Sequence, residues 1–280
     1  MLNSEMKKIY LLIMIIVAPS CDEVIQIDPE QTDQKIVIDG LVTDDANLNY
    51  VRITSNVDFY YQGKIPGVSN ASVVVSDDMG NVFDFFEYVS QNPDSTGYYF
   101  AQPPFAGVMN AAYTLNVTLS GVTYSATETL MHNFELDSLS VRKDPDPDPD
   151  EMEDDLLYKV LFYGFEPRET KDYYYFEFFA NEELLRNDAD VFISDDIFLA
   201  GEISGLEFPF NYALGDSATI RIFSVSRKVY LYYSELASVL GNDGGMFSPP
   251  PANPATNLSN GALGVFQVSS VKEKSIRVVE

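Results

Sequence analysis

The sequence is poor in the residues that carry most enzyme chemistry. Its 280 residues include one cysteine, one histidine and no tryptophan, and 17 Lys and Arg stand against 43 Asp and Glu, for a net charge of −26. A single cysteine excludes an intramolecular disulfide and a Cys-based zinc site. A single histidine leaves His132 as the only imidazole for a Ser-His-Asp triad. The acidity disfavours nucleic acid and anionic lipid headgroups as partners.

The single cysteine follows a short apolar segment near the start of the chain. Lys7 and Lys8 precede apolar residues 9–17, and small residues 18–20 lead to Cys21. This pattern predicts a secretory signal peptide at 1–20, and the apolar block is too short for a membrane span of roughly 20 residues. We expect Cys21 to be the acylated first residue of a bacterial lipoprotein, carrying chains such as palmitate. The alternative is an ordinary cleaved signal with an incidental cysteine.

Residues 21–35 predict a polar tether between this anchor and the folded part. Asp22 and Glu23 directly follow the cysteine, and they resemble the export signal that brings Bacteroidota lipoproteins to the cell surface. The alternative is a generic solvated linker. We therefore expect an outer-membrane location, attached by lipid and facing the cell surface.

Short apolar runs separated by Gly, Asn, Asp and Pro predict a mostly β fold. About seven strand-like runs fall within 36–130, which suggests an antiparallel immunoglobulin-like or transthyretin-like sandwich. Residues 156–280 predict a second β-rich domain. It carries one amphipathic helix near 227–240, with Ser226 as the N-cap and Gly241 as the stop.

Residues 131–155 predict an acidic, proline-rich linker or loop between the two domains. Prolines alternate with four aspartates, Asp144, Asp146, Asp148 and Asp150. Clustered carboxylates are the ligands that Ca²⁺ prefers, so these four residues are weak calcium candidates. Alternating prolines favour an extended polyproline conformation that points successive carboxylates apart. A solvated charge run is the favoured interpretation, with no metal and no cofactor.

Few other polar residues stand out. His132 follows the first predicted domain, where a surface or interdomain position is favoured over catalysis. Asp195 and Asp196 are adjacent acids within an apolar strand, for which we expect a sheet edge or a bulge. Three Asp-Ser pairs resemble the O-glycosylation acceptor of Bacteroidota exported proteins, with candidate sites at Ser95, Ser138 and Ser217.

Taken together, these segments resemble the Bacteroidota outer-membrane lipoproteins of the domain of unknown function 4249 (DUF4249) family. The resemblance rests on Cys21 and on the stretches 37–42, 71–77 with Gly80, 97–99, 173–176, 194–198, 229–240 and 260–266. It implies a lipoprotein often encoded beside TonB-dependent receptors, as an accessory in uptake or surface assembly. It supplies no catalytic residues.

The leading hypothesis is therefore a non-enzymatic, lipid-anchored outer-membrane accessory that partners a TonB-dependent receptor in nutrient capture or uptake. The alternative is a surface glycan-binding or adhesion module that uses tyrosine pairs such as Tyr60-Tyr61 or Tyr98-Tyr99. The absence of tryptophan disfavours that alternative. A hydrolase is the third possibility, and it would need His132 or a pair of carboxylates.

Overall fold

The computed structural model describes residues 35–57, 61, 63–90, 92, 95–166, 170–186, 191–196, 201–242 and 252–280, which lie within one compact unit. The mostly β class predicted from the sequence is confirmed, while the immunoglobulin-like or transthyretin-like sandwich and the domain boundaries stay predictions. The elements in chain order are β1 (Ile36–Thr43), β2 (Tyr50–Ser55), β3 (Ser72–Asp77), β4 (Val82–Glu87), β5 (Tyr98–Ala101), β6 (Ala112–Leu119), β7 (Val122–Thr129), β8 (Glu135–Lys143), α1 (Pro149–Glu153), β9 (Tyr158–Glu166), β10 (Tyr173–Ala180), β11 (Glu183–Leu185), β12 (Phe192–Asp195), β13 (Gly201–Tyr212), β14 (Ser217–Val225), α2 (Arg227–Leu240), β15 (Leu263–Ser269) and β16 (Val271–Arg277).

Eight strands form the first sheet, in the order β15-β1-β2-β5-β4-β3-β6-β7. Its edge strands β15 and β7 approach each other, so the sheet is nearly closed like a barrel. Successive side chains of a strand point to opposite faces, and Ile38, Val51 and Leu115 lie fully buried on the inner face. The outer face therefore presents the intervening residues, including Asp39 of β1.

The parallel pair of β1 and β15 joins distant parts of the chain and needs a glycine. Gly264 has φ +92°, and a Cβ at this position would clash with the Ile38 carbonyl of the paired strand. A left-handed φ is costly for residues with a side chain. Gly264 therefore allows β15 to approach β1 closely.

The other two sheets enclose a second, largely aromatic core. The second sheet has the order β11-β10-β14-β16 with β12 also paired to β10, and the third has the order β13-β9-β8. Phe162 of β9 and Phe208 of β13 meet Phe176 and Phe178 of β10. Burial of such large apolar side chains provides the main stabilisation of this part.

A buried polar junction links the first sheet to the second. Ser270 is the single residue between β15 and β16, and its hydroxyl lies 3.0 Å from that of Ser224. The Asn133 side-chain amide donates to the carbonyls of Ile222 at 2.9 Å and Ser270 at 3.1 Å. These bonds satisfy backbone groups where the chain passes between sheets.

The predicted helix is present as α2, with the predicted ends. Ser226 Oγ accepts from the Val229 N–H, and the helix ends at Gly241. Val229 is buried and lies in a cluster with Phe223 of β14 and Val265 of β15. Within the described part of the chain, we find no helix with the length and hydropathy needed to cross a bilayer.

Candidate functional site

A cavity of about 510 Å³ lies between the outer face of the first sheet, the second sheet and α2. Two other cavities, of about 470 and 350 Å³, are smaller. Its polar lining consists of Asp39, Tyr50, Tyr175, Glu177, Arg186, Tyr232, Tyr233 and Gln267. Aliphatic side chains from β1, β15 and α2 complete the wall. The volume is in the usual range for small-molecule sites.

Asp39 reaches the cavity because of its place in β1. The inward positions Ile38 and Gly40 are buried in the barrel, so Asp39 between them faces outward. The Tyr50 hydroxyl donates to Asp39 Oδ2 at 2.9 Å. Burial raises the pKa of Asp39, against the Tyr50 hydrogen bond and the charge of Arg52, which favour the ionised form. Asp39 takes part in none of the ion pairs among the described residues.

Glu177 of β10 lines the same cavity but has a charged partner. Arg221 Nη1 lies 3.2 Å from Glu177 Oε2, and Arg221 Nε lies 2.7 Å from Glu273. Burial raises the pKa of Glu177, while the charges of Arg221 and Arg186 oppose the rise. Glu177 thus has a directly paired cation, which it shares with Glu273.

Tyrosine rings form one wall of the cavity. Tyr175 of β10 stacks on Tyr233 of α2 with centroids 4.6 Å apart, and Tyr232 meets Tyr233 edge-on at 5.6 Å. The Tyr233 hydroxyl donates to Gln267 Oε1 of β15 at 2.8 Å. Burial raises the pKa of Tyr232 to about 12. The phenols therefore stay protonated at neutral pH and act as donors and aromatic surfaces.

A row of aromatic rings continues from the cavity along the outer face of the first sheet. Tyr50 lies 5.6 Å from Tyr98, Tyr98 stacks on Phe100 at 6.0 Å, and Tyr88 lies edge-on to Phe100 at 5.9 Å. Tyr88 is 52% exposed and Phe100 is 38% exposed. The neighbouring Tyr99 is instead buried in the barrel, so the predicted Tyr98-Tyr99 pair divides between the two faces of β5.

His132 lies away from this cavity. It is exposed and lines a separate pocket of about 350 Å³ whose acidic residues are Asp44, Glu135 and Asp137. The carboxylates and phenols of the larger cavity offer hydrogen bonds and ring faces without a histidine base. The arrangement around Asp39 is therefore suited to holding a ligand.

The acidic run has local partners. The backbone N–H of Asp146, then Asn211 and Lys159, hold the pKa of Asp144 below its usual range, and Lys159 lies 3.5 Å from Asp144. Among the described residues, no group of three or more His, Cys, Asp or Glu side chains is placed to hold a metal ion.

The segment 131–155, predicted as a linker or loop, contains β8 and α1. A short helix replaces the expected polyproline conformation at 149–153. Pro149 occupies a first-turn position of α1, and the Asp148 N–H donates to Glu151 Oε2 at 2.9 Å. Proline is well tolerated there because its missing N–H would have no helical partner.

The remaining predicted residues are dispersed. Asp195 lies on β12, opposite Tyr173, and both Asp195 and Asp196 are half-buried. Tyr61 is 48% exposed, and its hydroxyl donates to the Lys64 carbonyl at 3.1 Å. Ser95 and Ser217 are half-buried, and Ser138 is exposed. Cys21, Asp22, Glu23 and Tyr60 lie outside the described residues.

Glu166, at the end of β9, is a buried carboxyl that sequence patterns do not reveal. It is 1% exposed. Burial raises the pKa of Glu166 to about 7, against a hydrogen bond with Tyr174, and the nearby Asp172 and Asp196 carboxylates also raise it. This group titrates near neutral pH and lies outside the cavity lining.

The residues that line the cavity are not among the site residues predicted from the sequence. Asp39 gave a signal, since it is one acid within the apolar run 36–42, where an ionisable side chain needs a specific environment. The helical spacing of the tyrosines in α2 favours a core position over a ligand platform. Tyr233 does pack between sheets, but it also lines the cavity. Nothing local in the sequence places α2 beside β1.

Comparison with known proteins identifies the family of the chain. None of the curated proteins matches the chain. The family described as a domain of unknown function (DUF4249) matches over residues 22–275, which includes every element that lines the cavity. The chain therefore belongs to the DUF4249 family.

Proposed function

We propose that this protein is a non-enzymatic, lipid-anchored binding protein of the outer membrane that captures a small molecule in the cavity at Asp39. The cavity carries the proposal, because it combines ring faces, phenolic donors and carboxylates in a volume of about 510 Å³. Cys21 is the proposed acylation site, and Asp22 and Glu23 are the proposed surface-export signal. The proposed partner is a TonB-dependent receptor that takes up the captured molecule.

Filling the cavity tests ligand capture. Leu236 of α2 lines the cavity, whereas Leu231 of the same helix is 37% exposed. Full-length protein extracted in mild detergent is examined by native mass spectrometry for a retained small molecule. We expect the unchanged protein and Leu231→Trp to retain it and Leu236→Trp to lose it. Retention by both variants, or by none of the three proteins, would contradict capture in this cavity.

The anchor and the partner have separate tests. Cys21→Ser should abolish labelling by radioactive palmitate and release the protein from the membrane fraction, while a mutant such as Ser20→Ala should keep both. Purification of a tagged chain from detergent-solubilised outer membranes should recover a TonB-dependent receptor. Consistent recovery of the chain without a receptor would count against the partnership.

The aromatic row supports a second candidate, a glycan-binding surface. Tyr88, Phe100 and Phe86 are exposed on the outer face of the first sheet, and aromatic faces stack on the C–H face of sugar rings. A glycan array probed with Phe100→Ala should then lose signal. Phe165→Ala is the matched control, because Phe165 is similarly exposed on β9. Equal signals from the two variants would reject the row as a glycan site.

A further inference from the structure

We propose that the cavity at Asp39 binds an organic cation, with an alkylammonium head group held between the Asp39 carboxylate and the tyrosine rings. This inference rests on the proposed ligand-binding function and specifies the charge class of the ligand. It depends on three observations about the cavity. These are the different pairing of its two acids, its aromatic wall and the placement of its arginines.

The two acids of the cavity differ in their charged partners. Glu177 forms an ion pair with Arg221 at 3.2 Å. Asp39 accepts one hydrogen bond, from the neutral Tyr50 hydroxyl, and has no ion pair among the described residues. Arg52 lies opposite Asp39 in the paired strand, and its charge acts on Asp39 without forming an ion pair. A buried carboxylate without a directly paired cation is costly. A ligand cation at Asp39 would supply that direct pair.

Aromatic rings around Asp39 suit a cation with a low hydration cost. Tyr50, Tyr175, Tyr232 and Tyr233 all line the cavity, and the negative face of an aromatic ring attracts ammonium groups. In other proteins, quaternary ammonium ligands are recognised by several aromatic rings that surround the cation. The rings and Asp39 together therefore favour an alkylammonium over a compact, strongly hydrated inorganic ion.

Two arginines lie near the cavity, and neither forms an ion pair with Asp39 among the described residues. The Arg52 guanidinium carbon lies 5.0 Å from the centroid of the Tyr98 ring, on the outer aromatic row. Arg186 lines the cavity, and its charge acts to lower the pKa of both Glu177 and Tyr175. Asp39, Glu177 and Arg186 are thus the charged groups of the cavity lining, and the charge of Arg52 acts on Asp39 from outside that lining. The net charge of −26 favours the approach of cations.

Choline and its neutral carbon isostere, 3,3-dimethylbutan-1-ol, distinguish charge from shape. Isothermal titration of the full-length protein in detergent should give binding of choline at least about tenfold tighter than that of the isostere. Choline binding should also weaken as the pH falls, because protonation of Asp39 removes its charge.

Variants then locate the site. Asp39→Asn keeps the shape but removes the charge, and we expect choline affinity to fall at least about tenfold. Tyr232→Leu should lower it about threefold or more by removing a ring face. Asp78→Asn is the control, because Asp78 is an exposed acid in the turn between β3 and β4, and it should bind choline normally. Near-UV circular dichroism checks that each variant is folded.

Three results would overturn the inference. These are no choline binding below about 10 mM, equal affinity for choline and its isostere, and unchanged affinity in a folded Asp39→Asn variant. None of these three results decides the proposed function. A neutral molecule that the full-length protein retains and Leu236→Trp loses would still show capture in this cavity. If the protein neither binds choline nor retains a neutral molecule, then both the cation site and small-molecule capture in this cavity are rejected.

Discussion

The Tyr50 hydroxyl donates a 2.9 Å hydrogen bond to the Asp39 carboxylate across the antiparallel pair of β1 and β2. Asp39 lies directly opposite Arg52, and Tyr50 is its diagonal neighbour on the same face. Both side chains line the cavity between the sheets. A local strand register thus places an acid and a phenol at the candidate binding site.

Removing the Tyr50 hydroxyl tests this pair. Tyr50→Phe keeps the ring but removes the donor, so the pKa of Asp39 should rise further. The loss of unfolding free energy should be about 1–2 kcal/mol at high pH, where Asp39 is ionised, and smaller at low pH, where it is protonated. Chemical denaturation at both pH values measures it. Tyr124→Phe on β7 is the control, and an equal loss at both pH values would contradict the role of the charge.

Gly264 should be intolerant of a side chain. Gly264→Ala places a Cβ against the Ile38 carbonyl and forces a left-handed residue, so we expect a loss of at least about 3 kcal/mol in the free energy of unfolding. Gly261→Ala has a similar φ of +74° but no atom within 4 Å of its Cβ, and it should cost about 1 kcal/mol. Equal thermal unfolding temperatures for the two variants would show that close strand approach is unimportant.

Asn133 should contribute to stability through its two buried bonds. Asn133→Ala leaves the Ile222 and Ser270 carbonyls without their donor, and we expect a loss of about 2–3 kcal/mol. Asn47→Ala, in an exposed turn, should cost less than about 1 kcal/mol. Urea unfolding compares them. A small effect at Asn133 would mean that water replaces the amide.

Glu166 should make the protein less stable as the pH rises. Its pKa is about 7 in the folded chain, against an ordinary value of 4.5, so the folded state binds the proton more tightly than the unfolded state. Its contribution to stability is full below pH 4.5, falls through the window up to about 7, and is lost above it. Glu166→Gln should therefore flatten the pH dependence of the melting temperature. An unchanged profile would show that Glu166 does not titrate in this window.

Much of the secondary structure could be predicted from local patterns. Alternation in 50–54 and the cap-to-glycine pattern from Ser226 to Gly241 correspond to β2 and α2. The helix α1 was missed because an Asp148-Pro149 pair suits both an extended chain and the start of a helix. Local sequence does not decide between an extended chain and a helix when the helix is as short as α1.

The sequence alone determined the β-rich class, the helix α2 and the family, since these depend on residue periodicity, capping and motif order along the chain. Only the tertiary structure decided that β15 pairs with β1 and that α2 covers the outer face beside Asp39. Both bring together residues more than 180 positions apart in the chain. Their free energy comes from packing and strand pairing that no local pattern encodes, and they turn one acid in an apolar strand into a candidate binding residue.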